Sequence, residues 1–122
     1  MSSIYLTRDD IEKCLLAKTI IEKEFGHRLT QDQLARRLGI NKNKLTYGFR
    51  ELNDDSIHGF LTKLRLQKAK ELLETTDLRV DVIARRLSLH QSNLVRCFQK
   101  YEGMTPSQWR TNKRNNEIRG AI

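Results

Sequence analysis

Residues 29–49, LTQDQLARRLGINKNKLTYGF, lie over residues 78–98, LRVDVIARRLSLHQSNLVRCF, without a gap at an offset of 49. Leu29, Asp32, Ala35, Arg36, Arg37, Leu38, Leu45 and Phe49 are identical to Leu78, Asp81, Ala84, Arg85, Arg86, Leu87, Leu94 and Phe98. Leu34 with Ile83 and Ile40 with Leu89 match in kind. A fixed internal period is the first thing to settle, because it names the unit the fold is built from. In each copy a small residue, Ala35 or Ala84, lets a short helix approach its neighbour closely. Four residues later comes the position of a sharp turn. Gly39 supplies the positive φ that such a turn favours, and Ser88 stands there in the second copy, where a non-glycine is expected either to be strained or to shift the turn. Leu34, Leu38, Ile40 and Leu45, with their counterparts, fill the inside of the corner. The second helix is then held at a steep angle with its far side in solvent. The pattern predicts two helix-turn-helix units.

The rest of the chain is consistent with helices around these two corners. Proline occurs once, at Pro106, and Leu, Lys, Arg, Glu and Gln recur at helical spacing, so the fold class is all-α with about seven helices. Thr7 with Asp10 resembles a capping box, and Ile11, Leu15, Ile21 and Phe25 are expected to line the buried side of a first helix ending near Gly26. Ile57, Phe60, Leu61, Leu64, Ala69, Leu72 and Leu73 predict a linker helix from Ser56 to about Glu74. Arg65 interrupts its apolar face and reads as a structural hydrogen-bonding group. Thr105 and Pro106 fit an N-cap and first helical position, opening a short helix through Trp109, a core residue. The polar stretch after it is expected to fray. The expected organisation is residues 1–55 with the first motif, 56–75 as linker and 76–122 with the second motif.

The chain has 122 residues, enough for one ordinary domain or two small interdependent units. Its 23 Lys and Arg against 15 Asp and Glu give a net charge of +8, which favours a polyanionic partner such as nucleic acid. Cys14 and Cys97 are too few and too far apart for a disulfide framework and read as buried hydrophobes in a reducing compartment. His27, His58 and His90 are scattered, no Cys/His spacing suggests zinc, and no cofactor is expected. There is no nucleophile with a base at meaningful spacing and no glycine-rich phosphate loop, so the expectation is not an enzyme. With neither a signal-like start nor a long apolar run, the expected location is the cytoplasm, without a membrane partner.

LARRLGINKNKLTYGF is followed by FLTKLRLQKAKELLETTDLRVDVIA and, at the end, by F-x-K-Y-x-G-M-T-P-S-Q-W-R from Phe98 to Arg110. Over roughly Leu29 to Arg110 the chain resembles the DNA-binding domain of the AraC/XylS family of bacterial transcription activators. The resemblance implies double-stranded promoter or operator DNA and RNA polymerase as partners. It also implies a separate effector-binding or dimerisation domain outside this chain.

The reading helices carry the candidate site. In the first, from about Asn41 to Glu51, Leu45 and Phe49 face the core and leave Lys42, Asn43, Thr46 and Tyr47 exposed. The resemblance puts Asn43, Thr46 and Tyr47 at base-facing positions. In the second, from about Gln91 to Lys100, the exposed set is Gln91, Ser92, Asn93, Val95 and Arg96, and base reading is assigned to Gln91, Ser92, Asn93 and Arg96. Arg96 is the foremost of these, because a guanidinium can satisfy both major-groove acceptors of guanine. Lys42, Lys44, Arg36, Arg37, Arg85 and Arg86 are assigned to phosphate, which positions the protein without setting sequence preference. A linker of about 18 residues is roughly 27 Å long, near the roughly 34 Å turn of the duplex, so the two helices are expected in successive major grooves of an asymmetric site. A basic protein-interaction module and a sequence-indifferent architectural protein remain open on the same charge.

Overall fold

The computed structural model describes residues 5–120. Seven helices and no strand are found among them: α1 Arg8–Glu24, α2 Gln31–Leu38, α3 Lys42–Asn53, α4 Ile57–Thr75, α5 Val80–Arg86, α6 Gln91–Glu102 and α7 Pro106–Gly120. No helix of the described residues is long and apolar enough to cross a membrane. The chain divides into two compact units between Leu61 and Thr62, inside α4.

In the first unit each helix begins on a side chain that satisfies its free amides. Thr7 accepts from the Asp10 amide at 3.1 Å while the Asp10 carboxylate accepts from the Thr7 amide at 2.9 Å. Thr30 and Gln33 form the same reciprocal pair at α2, and the Asn41 side chain accepts from the amides of Asn43 and Lys44 at α3. These caps fix where α2 and α3 start, and so how α3 leaves the corner.

The buried face of α1 differs from the expected one. Asp10, Cys14, Ala17 and Ile21 point inward, whereas Ile11 is 37% and Leu15 51% exposed. Hydrophobicity misled here because α1 lies against α3 at a distance that only small side chains allow. A Cβ added to Gly48 would stand 2.6 Å from Cys14 Sγ and 3.2 Å from Leu6 Cδ1. Cys14 and Gly48 therefore form the close contact, Ala17 is buried on the same face of α1, and the larger Ile11 and Leu15 turn outward.

Both corners close with the same hydrogen bonds. The Ile40 amide donates to Ala35 O at 3.0 Å and the Gly39 amide to Arg36 O at 3.3 Å. In the second unit the Leu89 amide donates to Ala84 O at 2.9 Å and the Ser88 amide to Arg85 O at 3.1 Å. This is the Schellman arrangement, which requires a left-handed residue. Gly39 adopts it with φ +66°, and Ser88 adopts it with φ +57°.

The period of 49 also reaches beyond the quoted segments. α3 and α6 start and stop at matched positions, and both end on a left-handed residue, Asp54 with φ +55° and Gly103 with φ +71°. Phe49 meets Phe60 edge-on at 5.6 Å and 71°, and Phe98 meets Trp109 at 6.1 Å and 72°. Ile57 and Pro106, which open α4 and α7, are again 49 apart.

Expected as a short helix with a frayed tail, α7 instead runs for 15 residues to Gly120. Its first turns are tied to the end of α4. Arg110 donates to Leu73 O and Thr76 O, Arg114 to Thr76 O and the Asp77 carboxylate, and Lys113 pairs with Glu74 at 3.5 Å. These cations satisfy carbonyls that a helix end leaves open, and they complement its negative pole. Burial holds the Arg110 and Arg65 guanidinium pKa values below their usual range.

Candidate nucleic-acid interface

α3 is amphipathic in the sense a reading helix needs. Leu45 and Phe49 are fully buried, and Gly48 with them, so the opposite side is fixed in solvent by the packing of the first. On that side stand Asn43, Thr46 and Tyr47 at helical neighbour spacing. Asn43 is exposed and Tyr47 is 41% exposed. Thr46 is half-buried, with Oγ1 2.9 Å from Lys42 O and 3.2 Å from the Gln31 side-chain oxygen. α6 repeats the design on Leu94 and Phe98. Gln91, Ser92 and Arg96 gather, with Val95 and Gln99, around a shallow depression of about 400 Å³. Asn93 is exposed but outside that group.

The assigned phosphate ligands divide by what already holds them. Arg37 makes a two-pronged bond to Glu24 at 2.7 Å on both arms, and this holds the Glu24 carboxyl below the usual range. Lys44 bonds to Asp10 at 3.3 Å. The first cause of the lowered Asp10 pKa is the Thr7 amide, and Lys44 adds to it. Lys42 lies 3.2 Å from Asp32, and Arg85 lies 3.8 Å from Asp81. These last pairs are open to solvent and salt, which screen them, so they are worth little against a phosphate. Arg36, Arg86 and Arg96 are exposed and take part in none of the ion pairs observed among the described residues. Arg36 and Arg37 share a shallow hollow of about 410 Å³ with Arg28, a cation that the repeat did not single out.

Two further residues were missed on the reading faces themselves. Arg50 continues the row of Asn43, Thr46 and Tyr47 by one turn and is exposed. Gln99 continues that of Ser92, Val95 and Arg96 and lines the same depression. They are matched positions of the repeat, and a spacing of three or four from the named residues was signal enough to find them.

Residues 34–119, which hold both corners and both polar-faced helices, match a family model described as a helix-turn-helix domain. The chain belongs to the AraC-type helix-turn-helix family. Over 97 residues it is 39% identical to YtdP of Bacillus subtilis, a helix-turn-helix-type transcriptional regulator, covering 79% of this chain and 13% of that protein. It is 27% identical over 100 residues to the Msm operon regulatory protein of Streptococcus mutans, of which the match spans 36%. The chain thus spans between about an eighth and a third of these relatives.

Among solved structures, the C-terminal domain of AraT, a response regulator from Geobacillus stearothermophilus, superposes with a TM-score of 0.78 at 30% identity, covering 82% of this chain and 84% of that one. The DNA-binding domain of AdpA, solved in complex with a target DNA, gives 0.80 at 23% identity over 85% and 95% of the two chains, a likeness of fold. The family to which this AraC-type chain belongs is one of transcription regulators.

Proposed function

We propose that this chain is the DNA-reading part of a bacterial transcription regulator, binding double-stranded DNA sequence-specifically with α3 and α6 each in a major groove. The observation that carries the reading is the pair of matched outward faces, set on fully buried Leu45, Phe49, Leu94 and Phe98 and carrying hydrogen-bonding side chains. The +8 charge supplies the sequence-independent attraction to phosphate. Arg96 is assigned to guanine, Asn43 to adenine, and Thr46, Tyr47, Gln91, Ser92 and Asn93 to single contacts with base edges. Arg36, Arg37, Lys42, Lys44, Arg85 and Arg86 are assigned to phosphate, with Arg37 and Lys44 exchanging an internal carboxylate for it. Because the two faces differ residue by residue, the preferred site is asymmetric. The reading includes RNA polymerase as a partner at the same promoter, a cytoplasmic location, and an effector-binding or dimerisation domain outside these residues.

Titration with mixed-sequence duplex at two salt concentrations tests the core of this proposal. Affinity is expected to fall steeply as salt rises, and no duplex binding at low salt would sink it. A site recovered by selection from a random library is then bound by the Arg96→Ala variant with a loss of roughly 1–3 kcal/mol and relaxed preference at one base pair, whereas Lys42→Ala weakens all duplexes alike. A uniform loss with Arg96→Ala makes Arg96 a phosphate ligand instead. Inserting half a helical turn between the two half-sites abolishes joint recognition if the helices occupy successive grooves.

A further inference from the structure

The period of 49 sets each residue of α3 against a counterpart on α6, and at one of these pairs a hydrogen-bonding side chain gives way to an apolar one. Thr46 is matched by Val95, and Gln31, whose side chain meets Thr46, is matched by Val80. In the first unit the Thr46 hydroxyl proton is committed inside the protein, to Lys42 O or to Gln31. In the second unit neither position carries a side-chain hydrogen-bonding group. Val95 is half-buried and lines the depression on the outer face of α6 together with Gln91, Ser92, Arg96 and Gln99. One apolar side chain among four polar ones, on a face otherwise built for hydrogen bonding, suits an apolar group that itself sits among hydrogen-bonding edges.

In the major groove the bases offer one such group, the methyl on C5 of a pyrimidine. The geometry points to Val95 as a specificity residue that reads this C5-methyl, beside the base pair read by Arg96. A β-branched side chain in a helix has one strongly preferred rotamer, so Val95 presents a fixed shape to it. The inference rests on the proposed DNA reading. The methyl can come from thymine or from 5-methylcytosine, which present different hydrogen-bonding edges with the same apolar group.

The test starts from the duplex that the unmodified protein selects from a random library. Thymines flanking the base pair whose preference is relaxed by Arg96→Ala are replaced singly by deoxyuridine, which removes the methyl and keeps the hydrogen-bonding edge. One replacement is expected to weaken binding roughly three- to fivefold, the worth of one buried methyl. Val95→Ala binds the unmodified site with that lower affinity and is indifferent to the replacement. Val95→Ile, which keeps the branched apolar surface, retains the discrimination, and thermal melting of both variants reports whether they fold. At the same position, tighter binding of 5-methylcytosine than of cytosine extends recognition to both sources, and equal binding confines it to thymine. The inference is overturned if no replacement weakens the unmodified protein, or if Val95→Ala responds to the replacement by the same factor. If these arms fail while salt-dependent duplex binding and the Arg96 signature persist, only the role of Val95 falls. If no duplex binds at low salt, the DNA reading falls with it.

Discussion

At Ser88 the backbone holds φ +57° to complete a hydrogen-bonded corner that Gly39 completes in the first unit at φ +66°. A side chain in the left-handed region costs free energy that glycine avoids. Ser88→Gly is therefore expected to stabilise the protein by about 0.5–1 kcal/mol, and Gly39→Ser to destabilise it by a similar amount. Denaturant unfolding of both variants measures this, and a less stable Ser88→Gly would mean that the contacts of the serine side chain outweigh the backbone strain. Because Ser88 lies in the turn before α6 and not on the outer face of that helix, Ser88→Gly should bind DNA at unchanged affinity. The hydrogen-bond register of the turn is the same with either residue.

At the scale of elements, the close approach of α1 and α3 rests on Cys14 against Gly48. Gly48→Ala places a methyl 2.6 Å from Cys14 Sγ and is expected to cost about 1–3 kcal/mol by overpacking. Cys14→Ala added to Gly48→Ala should recover part of the loss, and strictly additive effects would show that the two residues do not share the contact. The helix starts also differ between units. Thr30 and Asn41 cap α2 and α3 with their side chains, whereas their counterparts Arg79 and His90 make no side-chain cap bond to α5 and α6. Thr30→Ala is expected to cost about 1 kcal/mol, and His90→Asn to add a comparable amount by giving α6 the cap that α3 has. Melting curves of the two variants, shifted in opposite directions, check the pair.

Across the whole molecule, stability depends on two carboxylates held below their ordinary pKa. The Thr7 amide is the first cause at Asp10, and the Arg37 guanidinium is the first cause at Glu24. A carboxylate with a lowered folded-state pKa binds its proton more readily in the unfolded chain, so its contribution is complete above the ordinary value and lost as pH falls through the folded one. Stability is therefore expected to decline as pH drops below roughly 4. Asp10→Asn and Glu24→Gln should each flatten that decline, and an unchanged acid limb in both variants would place the loss elsewhere. Both carboxylates also hold cations assigned to phosphate, Lys44 and Arg37. Removing either carboxylate is expected to raise affinity for duplexes of any sequence, measured at fixed salt.

The sequence by itself determined the two corners, their period and the sides of α3 and α6 that face solvent. It could do so because those features are local: Ala35, Gly39, Leu45 and Phe49 dictate the turn and the buried face within one helix and its neighbour, and the second copy repeats them. It also carried the family, since residues 34–119 keep the closing segment with Thr105, Pro106 and Trp109. Only the tertiary structure decided which face of α1 is buried, because Cys14 and Ala17 prevail over Ile11 and Leu15 through the space that Gly48 leaves on a different helix. It likewise decided the length of α7, whose polar sequence carries no apolar stripe but whose Arg110 and Arg114 find open carbonyls at the end of α4. And it decided which cations are already engaged: of the identical arginines at matched positions, Arg37 is held by Glu24 from the neighbouring helix α1, whereas Arg86 takes part in none of the ion pairs among the described residues.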